Sequence, residues 1–356
     1  MSEQLKKLRE QIDGLDDQLL QLVNQRAGLA QQIGHLKEDG TVLRPEREAQ
    51  VLLRLQANNN GPLSNAAVTQ LFTEVMSQCR ALEAKMSVAY LGPMGTYTEE
   101  AAIKRFGQAA ERFAVTSIDE VFRGVESGRV NFGVVPVENS TEGAVGRTLD
   151  LLPSSQLKIC GEVSLPIHHC LLIKPGALFD GRIREVVAHP QALAQCQNWL
   201  NVNFPHIARI PVSSNAEGAQ LAANDPAKAA IAGEQAAVLF GLDIWAHSIE
   251  DDPRNTTRFL VIGNQEVAPS GRDKTSLVMA TTNRPGAVHD LLTPFANNNV
   301  SLTKLESRPS RAGMWEYVFY VDIEGHQTDA KVAAALQELK QATAFVKVLG
   351  SYPVAV

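Results

Sequence analysis

Leu5, Leu8, Ile12, Leu15, Leu19, Leu22, Leu29, Ile33 and Leu36 recur in steps of three and four, with one step of seven. That spacing lays a heptad-like apolar stripe along one long helix. No proline interrupts it, and only Gly14, Gly28 and Gly34 weaken it. A helix of this length cannot bury such a stripe by itself, so a second copy of the chain is expected against it. Asp39-Gly40 ends the helix. Pro45 fits the first turn of a second helix reaching about Ala57. Asn58-Asn-Asn-Gly-Pro62 reads as a turn, and a third helix follows from about Ser64 to Ala84.

The periodicity changes at Ser87-Val-Ala-Tyr-Leu91, a short strand. Strand and helix patterns then alternate to Gly263. Strands are expected at Asn131–Val137, Glu185–His189, Ala208–Val212 and Phe259–Gly263. Helices are expected at Glu142–Leu152, Pro190–Leu200 and Ala216–Ala223, and Ser117-x-x-Glu120 has the form of a capping box. Alternation of this kind implies an α/β fold with a largely parallel sheet, and the length allows two lobes around a cleft. A polar linker, Gly263–Asp273, leads to a last block that reads strand, helix, strand, strand, helix, strand: Thr275–Ala280, Ala287–Ala296, Val300–Glu306, Trp315–Ile323, Ala330–Gln341 and Phe345–Ser351. This is the α+β ferredoxin-like order. Three domains result: all-helical at 1–86, α/β and two-lobed at 87–265, and α+β at 274–356.

Composition narrows the function classes. A net charge of −6, with no basic run interleaved with aromatics, argues against nucleic acid. No apolar run is long enough to span a bilayer, and the charged start lacks a signal core. Cys79, Cys160, Cys170 and Cys196 have no CxxC spacing, which fits a reducing, cytoplasmic setting rather than disulfides or zinc.

In the helical block, Arg26 and Lys37 share a helix face, while Arg9 lies about a quarter turn away and better serves a neighbouring chain. Arg47 and Glu48 open the second helix, and Glu83 closes the third. Converging cations of this sort clamp a small dicarboxylate, although any one of them alone is more often a solvated surface charge. With Leu8-Arg9, Asp13, Leu15-Asp16, Arg44-Pro-Glu-Arg47-Glu48 and Glu83, the block resembles the all-helical class of chorismate mutase, an intertwined dimer. The resemblance implies that Arg9 and Arg26, from two chains, hold the substrate carboxylates. It implies that Lys37 bonds the ether oxygen of the breaking bond, and that Arg47 and Glu48 serve as the arginine and hydroxyl-binding glutamate of the second helix. Where some relatives carry glutamine this chain has Glu83, which would have to be protonated to serve that oxygen.

In the α/β block, Gly92-Pro-Met-Gly95-Thr96-Tyr97 follows a strand and opens a helix, an anion-ready terminus that lacks the GK[ST] of a phosphate loop. Asn139, Ser140 and Thr141 are placed at a second helix start, and Ser213-Ser214-Asn215 at a third. Each alone is as well explained by capping. Asn255-Thr-Thr-Arg-Phe259 sets two hydroxyls and a guanidinium before a buried strand, where fixed donors can assist loss of a hydroxyl. GPMGTY, NFGVVPVENSTEGAV, HPQALAQC and NTTRF, in this order, resemble prephenate dehydratase across nearly all of Ser87–Gly263. That implies a fold like a periplasmic binding protein, with Thr257 as the catalytic residue. Arg258, Asn139, Ser140, Thr141 and Thr96 become candidates to hold the dianionic substrate, and no metal or organic cofactor is required.

In the last block, Asn283-Arg-Pro285-Gly286-Ala287 and Glu306-Ser307-Arg308-Pro309 are turn-like segments. Together they resemble the ACT regulatory domain of this dehydratase family, where such motifs bind L-phenylalanine. The expected whole is a bifunctional chorismate mutase–prephenate dehydratase in phenylalanine biosynthesis. Its substrates are chorismate and prephenate, its effector is L-phenylalanine, and it is at least a homodimer, with no nucleic-acid or membrane partner. A dehydratase preferring arogenate and a binding protein without chemistry are the rival readings.

Overall fold

The structure, a computed structural model, describes residues 3–37, 42–179, 182–281, 284–309 and 317–355. Asn283 and Trp315 lie outside them. The chain divides into two compact units: Met1–Ser87 with Ile103–Glu111 and Val356, and Val88–Ala102 with Arg112–Ala355.

The first unit is built on α1 (Glu3–Leu36), α2 (Pro45–Ala57) and α3 (Asn65–Ala81). α1 has 34 residues and none of them is buried. Its leucine stripe stands in solvent, with Leu22 61% and Leu36 80% exposed. Pro45 occupies the first turn of α2, where its missing N–H costs nothing. Ser64 caps α3 by accepting from Ala67 N at 3.2 Å.

The second unit takes in β1 (Ser87–Leu91) from Val88, α4 (Tyr97–Phe106) up to Ala102 and β2 (Glu111–Val115) from Arg112, then α5 (Ile118–Glu126), β3 (Phe132–Asn139), β4 (Gly143–Ala144), α6 (Gly146–Leu151) and β5 (Lys158–Pro166). A second lobe follows: β6 (Cys170–Ile173), β7 (Glu185–Ala188), α7 (Pro190–Gln195), α8 (Gln197–Asn203), β8 (Ala208–Pro211), α9 (Asn215–Asn224), β9 (Lys228–Ala232), α10 (Glu234–Phe240) and β10 (Asp243–Ala246). The chain then returns through β11 (Thr256–Gly263) to the first sheet, ordered β2-β1-β3-β11-β5 with β4 beside β3. The second lobe is ordered β10-β6-β9-β7-β8.

The sheets are mixed rather than largely parallel. β1 and β3 run parallel, as do β7, β8 and β9. β11 is antiparallel to both neighbours because it re-enters the first sheet from the second lobe, against the direction in which β5 left it. The helix expected from Glu142 starts only at Gly146, after the two-residue β4. Asn139 therefore ends β3, and Ser140-Thr141 lie in the turn to β4, instead of starting a helix. The helix expected at Pro190–Leu200 is broken at Cys196 into α7 and α8. Ser117 caps α5 as expected, but Glu120 returns to Thr116 N at 2.9 Å rather than to Ser117.

The remaining elements are β12 (Asp273–Ala280), α11 (Ala287–Asn297), β13 (Leu302–Pro309), β14 (Tyr317–Glu324), α12 (Ala330–Ala342) and β15 (Phe345–Pro353). The sheet order β13-β14-β12-β15 is ferredoxin-like. Its face shares a core with the first lobe, where Val278, Tyr320, Leu349 and Tyr352 join Val135, Leu149, Ile159 and Leu260. A Cβ on Gly350 would lie 2.2 Å from the Ile159 carbonyl oxygen, so only glycine lets β15 cross β5 this closely. Among the described residues no helix is long and apolar enough to cross a membrane.

Candidate active sites

β11 sets out the candidate site of the second unit. In a strand, neighbouring side chains face opposite ways. Thr257 pairs in register with Asn139 of β3 and turns into a cleft of about 700 Å³ between the lobes. Thr96, Asn139 and Thr257 all line this cleft. Ser140 and Thr141 stand behind the wall. Ser140 Oγ accepts from Thr256 N at 3.0 Å, and Thr141 Oγ1 donates to Asn139 Oδ1 at 2.6 Å.

The Asn139 amide is fixed completely. Its Oδ1 accepts from Thr141 N at 3.0 Å, Thr141 Oγ1 at 2.6 Å and Glu142 N at 3.1 Å. Its Nδ2 donates to Asn255 Oδ1 and to Thr257 Oγ1, each at 2.8 Å. Three donors on one oxygen decide which way the amide faces. Thr257 therefore accepts from Asn139, and its own O–H has no protein acceptor among the described residues, so it is available to the cleft. Thr96 has the opposite polarity, since its hydroxyl donates to the Leu91 carbonyl at 3.2 Å.

The opposite wall holds His169, which the sequence reading passed over, together with His189, Gln191 and Gln195 of the HPQALAQC motif, which were given no role, and the Ser213-Ser214-Asn215 terminus. Gln195 joins the walls, donating to Thr141 Oγ1 at 3.0 Å and accepting from Asn255 Nδ2 at 3.1 Å. His169 Nε2 lies 2.9 Å from Gln195 Oε1, and its Nδ1 lies 3.0 Å from the Tyr97 hydroxyl. Burial lowers the His169 pKa, which keeps the ring neutral. Gln195 Oε1 can only accept, which puts the proton on Nε2, and the single proton of the Tyr97 hydroxyl is shared between Nδ1 and the His168 carbonyl, 2.8 Å away. No described lining residue is Lys, Arg, Asp or Glu. Two helix starts face the cleft instead: α4 after Gly95, whose φ of 82° suits glycine and whose N–H donates to Glu99 at 2.6 Å, and α9 at Ser214-Asn215, where Ser213 N donates to Glu217 at 2.8 Å.

Arg258 does not enter the cleft. It projects from the other face of β11, with Nε 2.8 Å from Glu162 and Nη1 2.6 Å from Asp322. Burial opposes its charge, and Tyr352, Asp322 and Glu162 more than offset that, so its pKa is raised.

In the first unit Lys37 Nζ lies 2.8 Å from Glu83 Oε2. A Cβ on Gly34 would sit 2.8 Å from Glu83 Cγ, so this glycine makes room for the glutamate. Glu48 is held by Arg80 and by Arg105, the latter at 2.8 Å. Arg80, 8% exposed, also donates to the Phe106 carbonyl at 2.7 Å. Burial, then the Arg105 charge, push its pKa down, while Glu83 pulls it up. Neither Arg80 nor Arg105 was singled out from the sequence. Arg26 is half-buried close enough to Arg80 to oppose its charge, whereas Arg9 and Arg47 are exposed.

In the last block Val318 pairs with both Ala280 and Arg308, so the segment after β12 and the end of β13 lie at the same end of the sheet. Pro285 and Ala287 flank Gly286, whose φ of 80° opens α11. Lys304, Glu306 and Arg308 share the half-buried face of β13, and Ser307 is exposed. Arg308 Nη2 lies 3.5 Å from Asp150 of α6. Among the described residues one group of three could approach a metal ion, Cys170, Glu234 and His247, with ligand atoms within 4.8 Å of one another. Burial raises the Cys170 thiol to about 11, which disfavours the thiolate a metal would need.

Three family models match in turn: chorismate mutase type II over residues 8–84, prephenate dehydratase over 88–267 and the ACT domain over 275–341. The bifunctional chorismate mutase/prephenate dehydratase of Neisseria gonorrhoeae is 53% identical over 350 residues, covering 98% of this chain and 96% of its own. The chain belongs to the bifunctional chorismate mutase/prephenate dehydratase family. It is an enzyme with an isomerase domain and a carbon–oxygen lyase domain, the latter followed by an ACT domain. The crystal structure of prephenate dehydratase from Arthrobacter aurescens in complex with L-Phe superposes with a TM-score of 0.69 at 34% identity, covering 75% of this chain and 90% of that one. Arogenate dehydratase 1 of Petunia hybrida is 40% identical over 286 residues, covering 75% of this chain and 67% of its own.

Proposed function

We propose that the helical domain rearranges chorismate to prephenate and that the cleft converts prephenate to phenylpyruvate, with Thr257 as the hydrogen-bond donor to the leaving group. The observation that carries the second step is the hydrogen bond from Asn139 to Thr257. It occupies the threonine oxygen as an acceptor and turns the hydroxyl proton toward the substrate. In the reaction the bond from the ring to its carboxylate breaks and CO₂ leaves. The electron pair enters the ring, the C4–O bond breaks, and the oxygen departs as hydroxide stabilised by the Thr257 O–H, becoming water with a proton drawn from solvent on release. Aromatisation supplies the driving force. A threonine hydroxyl is a poor acid in water, so its strength as a donor depends on a fixed position in a cleft that excludes water. The dianion is held by hydroxyls, amides and the two helix N-termini.

In the mutase, Lys37 and Glu83 meet the ether oxygen, Arg26 and the partner chain's copy of Arg9 hold carboxylates, and Glu48 takes the hydroxyl. The exposed stripe of α1, about 50 Å long at 1.5 Å per residue, is where the second copy packs. L-phenylalanine binds the ACT domain near Pro285–Ala287 and Glu306–Arg308 and inhibits the dehydratase. The relative crystallised with L-Phe supports that reading.

Thr257→Ser and Thr257→Val separate the roles. Serine should keep prephenate turnover within about tenfold, while valine should lower it by about 10²–10³-fold, the cost of losing one donor aimed at developing charge. Equal turnover by the two variants would remove Thr257 from the chemistry. Arogenate is the competing substrate, in view of the Petunia relative. A higher kcat/KM on arogenate than on prephenate would reverse the assignment.

A further inference from the structure

The Thr257–Asn139 hydrogen bond joins two strands, and on each strand the next residue is tied to the ACT sheet. After Thr257 comes Arg258, whose Nη1 lies 2.6 Å from Asp322 of β14. Before Asn139 comes Glu138, whose Oε2 lies 2.8 Å from Lys304 Nζ of β13. Lys304 and Asp322 are themselves register partners across β13 and β14. One pair of neighbouring residues in the ACT sheet thus reaches both halves of the catalytic hydrogen bond.

The Arg258 side is a closed ring. Arg258 Nη2 donates to the Tyr352 hydroxyl at 3.0 Å. Ser276 Oγ donates to Asp322 Oδ1 at 2.5 Å, so the Tyr352 hydroxyl must supply the proton in its 2.7 Å contact with Ser276. Asp322 Oδ2 then faces Arg258 again, as an ion pair without hydrogen-bond geometry. Glu162 completes the set, 2.8 Å from Arg258 Nε and 2.9 Å from Lys274 Nζ. Three cations (Arg258, Lys274, Lys304) face three anions (Glu138, Glu162, Asp322). The two hydroxyls of the ring each have one assignable acceptor, and moving the ACT sheet must break part of the network. Tyr352 is fully buried, and Asp322 is only 6% exposed, so water cannot readily replace the lost partners.

We propose that Arg258 and Glu138 are positioning residues, through which the ACT sheet holds Thr257 and Asn139 in register, and that L-phenylalanine inhibits the dehydratase by acting on the Arg258–Asp322 and Lys304–Glu138 pairs. This rests on the reading that L-phenylalanine is an inhibitor. It gives Arg258 a role outside the cleft, consistent with the direction of its side chain. Signalling needs no long path, because each ion pair lies one residue from the atom it controls.

The test uses the full chain with Asp322→Asn and Lys304→Gln. L-phenylalanine binding is measured by calorimetry, and prephenate turnover is followed as the effector is titrated. Wild type should be inhibited. Both variants should bind L-phenylalanine but need at least about tenfold more of it for half-inhibition, or keep about half their turnover at saturation, as expected when two sites lose coupling. The coupling is reciprocal. Phenylpyruvate, as a product probe, should therefore weaken L-phenylalanine binding in wild type and not in the variants, a difference that a merely structural role would not produce. Lys304→Gln leaves the buried ring intact and decides the matter should Asp322→Asn not fold. If wild type is inhibited and the folded variants are inhibited as fully, the inference is overturned while the feedback reading stands. Loss of L-phenylalanine binding in both variants also overturns it, since the pairs would then belong to the effector site. If wild type itself is not inhibited at saturation, the feedback reading fails first.

Discussion

Replacing Asn139 with aspartate reverses one hydrogen bond while keeping the shape of the side chain. The Asn139 Oδ1 acceptor serves three donors, and aspartate preserves that set. The Nδ2 donor at 2.8 Å from Thr257 Oγ1 becomes a carboxylate oxygen. The Thr257 proton then turns to that oxygen in a charge-assisted bond and is withdrawn from the cleft. The second Nδ2 bond, to Asn255 Oδ1, becomes a contact between two acceptors. Losing one donor directed at a leaving oxygen costs about 2.7–4 kcal/mol of transition-state stabilisation, or about 10²–10³ in kcat. The new negative charge also repels a dianionic substrate, so KM should rise. Alanine is the weaker test, because it orphans three donors and would destabilise the loop by about 1–3 kcal/mol for each buried one. The assay is phenylpyruvate formation from supplied prephenate, with mutase turnover in the same protein as the internal control. Asn139→Asp that keeps kcat within about threefold of wild type, with an intact mutase, would refute the argument that Asn139 aims the Thr257 hydroxyl.

Other outcomes follow from the same geometry. Buried His169 has a folded pKa below its unfolded value of about 6.5, so the unfolded state binds the extra proton first. Stability should therefore be full above about pH 6.5 and fall below it, by at most about 1.4 kcal/mol per pH unit until the lower folded pKa is reached. His169→Gln should lessen that slope in denaturant titrations at pH 7 and pH 5. Leu15→Glu with Leu22→Glu places charge on the exposed α1 stripe and should abolish self-association through it. Sedimentation should then show a smaller assembly with mutase activity reduced by about 10²-fold or more, because the site would lack its partner's arginine; an unchanged assembly with full mutase activity argues against the α1 interface.

The long first helix was legible because a period near 3.5 sustained from Leu5 to Leu36 has no other reading, and its exposure followed from the absence of any segment long enough to cover it. β11 was legible from its apolar run. Which face its residues take was also written there, since adjacent residues in a strand cannot both enter one cleft. Period-two alternation alone separates Thr257 from Arg258. The position of Asn139 at a strand end was not legible, because β4 has two residues and no pattern of its own. The break at Cys196 has no glycine or proline to announce it. The cleft's second wall and the arginines around Glu48 are contacts between residues far apart in sequence: Gln195 meets Thr141, and Arg105 meets Glu48, 57 positions away. No local signal encodes such meetings.

The central claim is that one chain performs two steps at separate sites and that Thr257 belongs to the second. Purified protein given chorismate alone, with prephenate and phenylpyruvate followed over time, tests it most directly when Thr257→Ala is run beside wild type. Wild type should make phenylpyruvate, and the variant should consume chorismate at the same rate and stop at prephenate. Phenylpyruvate from the variant at the wild-type rate, or chorismate left untouched by both, would contradict the account.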